Sequence, residues 1–321
     1  GGPSGSLIGT APINGVTPPF AGQPVQGISA ILDAGWGWYW AMPDNGYGAK
    51  ENSADFLLRV YEVRLDFETR RGGSGTVQVG QIVQLRDPDG RIPFGLTRAD
   101  RLLTGSDFDI ESVRRDRDGG FWFGDEFGPW LLHTDATGKV LEAPIPLPGV
   151  KSPQNQTLGS AAPNLPRSKG FEGMAISRDG RMLYPMLEGA LTTDTDQRRL
   201  VINEFDVRSR SYTGRTWQYH LEDAANSIGD LTRLDGARML VIERDNNQGA
   251  AARFKKIYEL DLRRVGADGF LVEREVVDLL AIADPNGISL PGRPGDLGLG
   301  TTFAFPFQTI ESVLPLGGER I

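Results

Sequence analysis

Carboxylates recur along this chain in step with one another. Five segments, Gly27 to Ile31, Ile110 to Val113, Phe171 to Ile176, Ile228 to Leu231 and Ile310 to Val313, share an apolar residue, a small or acidic residue and a short alternating run. Ser29, Glu111, Glu172, Asp230 and Glu311 fall in register, and Asp44, Glu126, Glu188 and Asp245 follow the first four by 15, 15, 16 and 15 residues. If the segments are equivalent elements around an axis, two acidic rings converge near it. Carboxylates brought together repel and hold their protons unless a cation or basic groups compensate. Hard oxygen ligands suit Ca2+, which accepts about 6–8 of them, with Mg2+ the smaller alternative. The candidate metal ligands are Asp44, Glu111, Asp125, Glu126, Glu172, Asp230, Glu243 and Asp245.

Other chemistries are excluded by what the chain lacks. It has no cysteine and two histidines, so thiolate catalysis, disulfides, Cys-based metal sites and a three-histidine metal centre are ruled out. No Gly-x-Ser-x-Gly elbow, phosphate-binding loop, His-Glu-x-x-His, dinucleotide fingerprint or Arg-His-Gly motif occurs. His133 falls in a third strand away from the axis, and both it and His220 read as structural. The proton acceptor is then a carboxylate or water acidified by a metal. Lys169, Arg178, Arg233 and Arg244 lie close in sequence to the acids and are suited to a phosphate or carboxylate group. Arg244 is the best placed of them, because it sits inside the acidic run Glu243 to Asn247. Trp36, Trp38 and Trp40 should share one strand face and Tyr39 the other, for packing or as a stacking platform.

The elements that must position these residues are short strands. Gly 42 and Pro 21 make about a fifth of the 321 residues without a collagen period, which means many turns. Asp118-Gly119, Asp179-Gly180 and Asp235-Gly236 stand between apolar alternations, a strong hairpin signal. Further alternating runs follow at 200–207 and 213–221, and at 254–262 and 270–278, with 56–67 and 76–85 outermost in the first copy. Four strands per unit is the blade of a β-propeller. The sequence therefore predicts an all-β propeller of five or six four-stranded blades, forming one domain over 1–321. Segments 144–169 and 284–306 read as long surface loops, and 222–227 and 277–283 as a helical turn or two each. The fifth copy stops where its second strand should begin. Residues beyond Ile321, a strand from the 1–26 segment near Leu7 to Ile13, or both would complete that blade.

With 34 Lys plus Arg against 42 Asp plus Glu, a net charge of −8 argues against a nucleic-acid partner. No apolar run reaches the ~20 residues of a membrane span. The start, Gly1 to Ser6, has neither an initiator Met nor an apolar signal core, as in a processed, tagged or incomplete chain.

The runs Phe171 to Ser177 with Asp179-Gly180, Gly124-Asp125-Glu126-Phe127-Gly128-Pro129, Asp44-Asn45-Gly46 and Glu243 to Asn247 resemble the bacterial phytase-like family with esterase-like activity, from about Gly27 to Ile321. The resemblance implies a secreted or periplasmic β-propeller, and a looser similarity to calcium-dependent propeller hydrolases implies a metal on the axis. The function expected is a metal-dependent hydrolase of a small phosphate or carboxylic ester. Glu172, Glu111 and Glu126 would be ligands or base, Arg244 would steady the anion, and Lys169 would help to bind substrate. The alternative is a non-catalytic secreted propeller that binds a protein or surface polymer. Fold alone does not choose between them.

Overall fold

Glycines that accept positive φ close the hairpins. Gly119, Gly180 and Gly236 have φ of 86°, 66° and 43° after their Asp partners, a region closed to most side chains. The computed structural model describes residues 17, 20–292, 294–317 and 320–321. In it the apolar alternations pair into four antiparallel four-stranded meanders. Sheet one holds β1 (Ile28–Gly35), β2 (Trp38–Pro43), β3 (Arg59–Asp66) and β4 (Thr76–Gln84). Sheet two holds β5 (Ile110–Arg115), β6 (Phe121–Asp125), β7 (Trp130–Thr134) and the short β8 (Ile145–Pro146). Sheet three holds β9 (Phe171–Ile176), β10 (Met182–Leu187), β11 (Arg199–Asp206) and β12 (Ser211–His220). Sheet four holds β13 (Ser227–Asp235), β14 (Arg238–Arg244), β15 (Lys255–Val265) and β16 (Leu271–Asp278). A two-stranded pair, β17 (Ile282–Ala283) and β18 (Thr302–Phe303), follows.

The sheets stack face to face like propeller blades, each joint filled by its own core. Trp40, Val60, Ile110, Phe121 and Trp130 fill the first joint, and Trp122, Leu131, Phe171 and Phe205 the second. Met186, Tyr219, Ile228, Leu231 and Val241 fill the third. A fourth core joins Leu240, Ile242 and Ile257 of sheet four to Val313, with Ile282 and Ile310 against it. The first, fifth, ninth and thirteenth strands line the middle.

Five or six blades were expected, and four four-stranded sheets form among the described residues. The fifth copy, Ile310 to Val313, pairs into no sheet, yet it occupies the fifth place around the axis. The Val313 amide donates to Asp230 at 3.1 Å, and the Ile31 amide donates to the Ser312 hydroxyl at 3.0 Å. Side-chain bonds thus replace the ladder that a second strand would supply. The segment Leu7 to Ile13 lies outside the described residues. The two expected helical turns are also absent, because Val277 and Asp278 are taken up by β16, Ile282 and Ala283 by β17, and 222–226 is a turn leading into β13. Trp36 leaves the Trp38 and Trp40 face, since it sits in the β1–β2 turn at φ 57° and is 99% exposed. The segment 144–169 is loop apart from β8, and packs on the site-side ends of sheets one and two, where Asn155 donates to the Gly128 carbonyl at 2.7 Å and Lys50 to the Gln154 carbonyl at 3.0 Å.

One ion pair ties inner strands that are not neighbours. Arg114 on β5 donates to Asp230 on β13 at 3.1 Å and to the Leu231 carbonyl at 2.8 Å, and both side chains are buried. Removing one partner of a buried pair leaves a desolvated charge, which costs about 3–5 kcal/mol. Asp230→Ala should therefore lower unfolding free energy by about that much in urea titration, and Asp230→Ala with Arg114→Met should recover part of the loss. A loss under about 1 kcal/mol in the single variant would show that the pair does not hold the inner strands.

Candidate functional site

Each inner strand carries a bulge at its start, and the bulge decides what faces the axis. Ile28 pairs with Pro43 and Ala30 with Met42, leaving Ser29 as the extra residue. The same irregularity sets out Glu111 between Ile110 and Ser112, Glu172 between Phe171 and Gly173, and Gly229 between Ile228 and Asp230. Bulges re-aim side chains and end pairing, and they are frequent beside active sites. The partner strands continue this register: Pro43, Asp125, Leu187 and Glu243 pair across, so the next residues are Asp44, Glu126, Glu188 and Arg244.

In sheet four, then, the register lies one residue earlier than the acidic pattern suggested. Gly229 holds the place given to Asp230, and Arg244 the place given to Asp245. A slip of one residue turns side chains to the other face. Asp230 accordingly meets Arg114, and Asp245 accepts from the buried Lys255 ammonium at 2.8 Å and the Arg253 amide at 2.8 Å. Burial works against ionisation of Asp245, but these donors hold its pKa well below the usual carboxylate value. Gly229 has a packing reason of its own, since a Cβ there would stand 2.0 Å from the Ile310 carbonyl oxygen.

Two overlapping groups of carboxylates result, Asp109, Glu111 and Glu126, and Glu126, Glu172 and Glu188. Within each group the oxygens lie within 4.8 Å of one another. Glu126 belongs to both. Oδ1 of Asp109 and Oε1 of Glu126 are buried and make no hydrogen bond. Burial, then the neighbouring acids, push Glu111, Glu126 and Glu172 well above the ordinary glutamate value. Burial raises Asp109 to about 6, with hydrogen bonds from Glu111 and Asn45 restraining the rise. Asp44, raised to about 8 by burial and by Asp109, borders the cluster and accepts from the Gly46 amide at 2.6 Å. Two cations reach it among the described residues. The Lys169 ammonium lies 2.7 Å from Glu188, and Arg244 lies 3.9 Å from Glu172 and 3.8 Å from Glu311.

Glu111, Glu126 and Glu172 are thus brought together with Lys169 and Arg244 beside them, and four other candidates stand apart from the two groups or at their edge. Asp125 accepts from the Asp109 and Gly128 amides at 2.8 and 2.7 Å, so it shapes the loop that carries Glu126; burial raises it to about 7. Glu243 is filled by Tyr219 at 2.6 Å, the Glu222 amide at 2.9 Å and Asn226 at 2.7 Å. Asp230 and Asp245 are held as described. Arg178 and Arg233 lie toward the far ends of the inner strands. His133 is bracketed by Asp116 at 3.0 Å and Glu142 at 2.9 Å and stacks on Trp122, in the joint between sheets two and three.

Asp109 and Glu188 were not among the candidate ligands. Glu188 stood in the second acidic register, which was the signal for it. Asp109, one residue before β5, had none, because a loop residue outside the repeat is aimed by the fold alone.

Comparison with known proteins gives two kinds of relative. An uncharacterized secreted protein of Arthroderma benhamiae is 24% identical, over 77% of this chain and 64% of its own length, so the chain spans less than two thirds of that relative. Among solved structures, a luciferin-regenerating enzyme matches 80% of this chain and 65% of its own at 12% identity and TM-score 0.39. Virginiamycin B lyase from Staphylococcus aureus matches 81% of this chain and 71% of its own at 12% identity and TM-score 0.34. At such scores the architecture rests on the strand pairing of the chain itself. The family model for phytase-like proteins, described by the esterase-like activity of phytase, matches residues 23–320, and the chain belongs to that family.

Proposed function

We propose that the chain is a metal-dependent ester hydrolase whose centre is the double carboxylate group around Glu126. The observation that carries this reading is the shared Glu126, with an unpartnered buried oxygen on it and another on Asp109. Buried acceptors without donors are costly, and a cation satisfies them. The donor set is all oxygen, which fits Ca2+ first and Mg2+ second. Asp109, Glu111, Glu126, Glu172 and Glu188 are the residues that would hold the ion. A bound divalent cation supplies polarisation of the ester oxygen and acidification of water.

The chain's own groups do the rest. Of Glu172 and Glu126, both raised above the ordinary glutamate value by burial and by neighbouring acids, the one not engaged with the ion takes a proton from the attacking water and returns it to the leaving oxygen. Arg244, buried against Glu172 and Glu311 and with a free Nε, steadies the anion that develops. Lys169 orients Glu188 and borders the bound substrate. Action outside the cytoplasm, secreted or periplasmic, is supported by the secreted relative, and calcium sites with weak affinity suit that setting. No helix of the described residues is long and apolar enough to cross a membrane.

Glu126→Gln removes one charge common to both groups while keeping shape. Calcium affinity by titration calorimetry should fall at least tenfold, and most of the calcium-dependent rise in melting temperature should vanish. Glu243→Gln should leave calcium affinity as it is. Equal affinities in wild type and Glu126→Gln would remove the site. Calcium binding with no turnover on an ester panel would instead favour a binding module.

The raised carboxylates also set a pH dependence. Without metal, the folded chain holds protons on Asp109, Asp125 and Asp44 up to about 6, 7 and 8, where the unfolded chain has released them. The folded state then binds more protons, so stability falls as pH rises from the ordinary carboxylate range through about 8. Urea midpoints of the chelated protein should be higher near pH ~5 than near pH ~8, and calcium should narrow the gap. A higher midpoint at the alkaline end without calcium would contradict this.

A further inference from the structure

Beside the cluster, between sheets three and four, lies a pocket of about 170 Å3. Lys169 and Glu188 line it, so pocket and carboxylates share a wall. Its charge is already balanced: Lys169 is the one cation among the described lining residues, and Glu188 neutralises it at 2.7 Å. Arg244, on the cluster side, already faces Glu172 and Glu311. Even with one divalent cation held by the cluster, the five carboxylates Asp109, Glu111, Glu126, Glu172 and Glu188 are met by four positive charges, two on the ion and one each on Lys169 and Arg244, so a phosphomonoester dianion finds no net positive charge to bind.

What the pocket does offer is neutral. Asn226 donates to Glu243 at 2.7 Å, the Ser227 hydroxyl accepts from Lys169 at 3.2 Å and the Asn246 side-chain oxygen accepts from Arg244, which leaves the Asn226 oxygen, the Ser227 hydroxyl hydrogen and the Asn246 amide nitrogen for a ligand, while Leu200, Leu221 and Ala225 offer carbon surface. Hydroxyls on a short carbon chain match that mixture. The volume is well below the roughly 300 Å3 at which pockets for larger ligands begin, so a long acyl chain is disfavoured.

We infer that this pocket receives the neutral, hydroxyl-bearing alcohol half of a carboxylic ester whose scissile bond lies over the carboxylate cluster, so that esters of small polyols are preferred to phosphomonoesters. The inference rests on the hydrolytic reading of the cluster. In the reaction, the oxygen of water bonds to the acyl carbon, and the bond from that carbon to the polyol oxygen breaks. The polyol departs with one proton of the water, and the acid keeps the other.

The test uses the full chain saturated with calcium. Erythritol binding is measured by calorimetry, and kcat/KM is compared for glycerol monobutyrate, ethyl butyrate and glycerol 3-phosphate. Ala225→Trp places an indole in the pocket from an exposed turn, Asn246→Ala removes one rim amide, and the calcium-dependent melting shift reports that each variant is folded. Erythritol should bind, at least tenfold more weakly to Ala225→Trp and several-fold more weakly to Asn246→Ala. Glycerol monobutyrate should exceed the other two substrates at least tenfold. Undetectable erythritol binding, equal binding by both variants and wild type, or faster cleavage of glycerol 3-phosphate would each overturn the inference. Erythritol binding that both variants weaken, with no ester cleaved, would uphold the polyol site and overturn the hydrolytic reading instead.

Discussion

Repulsion between buried carboxylates around the axis is the constraint around which this molecule is arranged. Two unit charges within 4.8 Å of each other interact by about 3–4 kcal/mol at an effective dielectric of about 20, and Glu126 faces such neighbours on both sides. No fold keeps that many negative charges together unaided. Protons offset part of it, as the raised values of Asp44, Asp109 and Asp125 show, and Arg244 and Lys169 offset another part. The repulsion that remains makes the cluster costly for stability.

Stability is supplied away from that cost. Every joint between sheets is closed by large apolar side chains, and the acids nearest the cluster that do not belong to it are fully engaged with the backbone or with cations. Asp125 holds a loop, Glu243 holds the entry to sheet four, and Asp245 holds Lys255, whose ammonium also reaches the Gln308 carbonyl at 3.1 Å. Arg114 and Asp230 bind inner strands two sheets apart. The same residue type thus serves two ends, and the difference is whether donors surround it.

The chain belongs to a family described by esterase-like activity, and fold alone does not supply a chemistry. Burial and neighbouring acids, not a histidine, raise Glu172 and Glu126 above the ordinary glutamate value. His133 and His220 are engaged with acids in the sheets' outer parts, at 3.0 and 2.8 Å from Asp116 and Asp196.

Much was legible from residues alone because strand periodicity and Asp-Gly turns are local signals. The four-strand unit, the inner strands and the convergence of Glu111, Glu126 and Glu172 follow from the repeat. Tertiary structure decided what the repeat could not. The segment Ile228-Gly229-Asp230 reads acidic at Asp230, yet the bulge falls on Gly229, because Ile310 and Glu311 pack where a side chain would stand. That one-residue difference puts Arg244 in the acidic ring and sends Asp230 to Arg114. The number of sheets was likewise settled in space, where side-chain hydrogen bonds from Ser312 and Asp230 hold the fifth inner segment without a ladder. Asp109 and the loops that carry it have no period to betray them, and only packing against Asn45 and Glu111 brings that carboxylate to the axis.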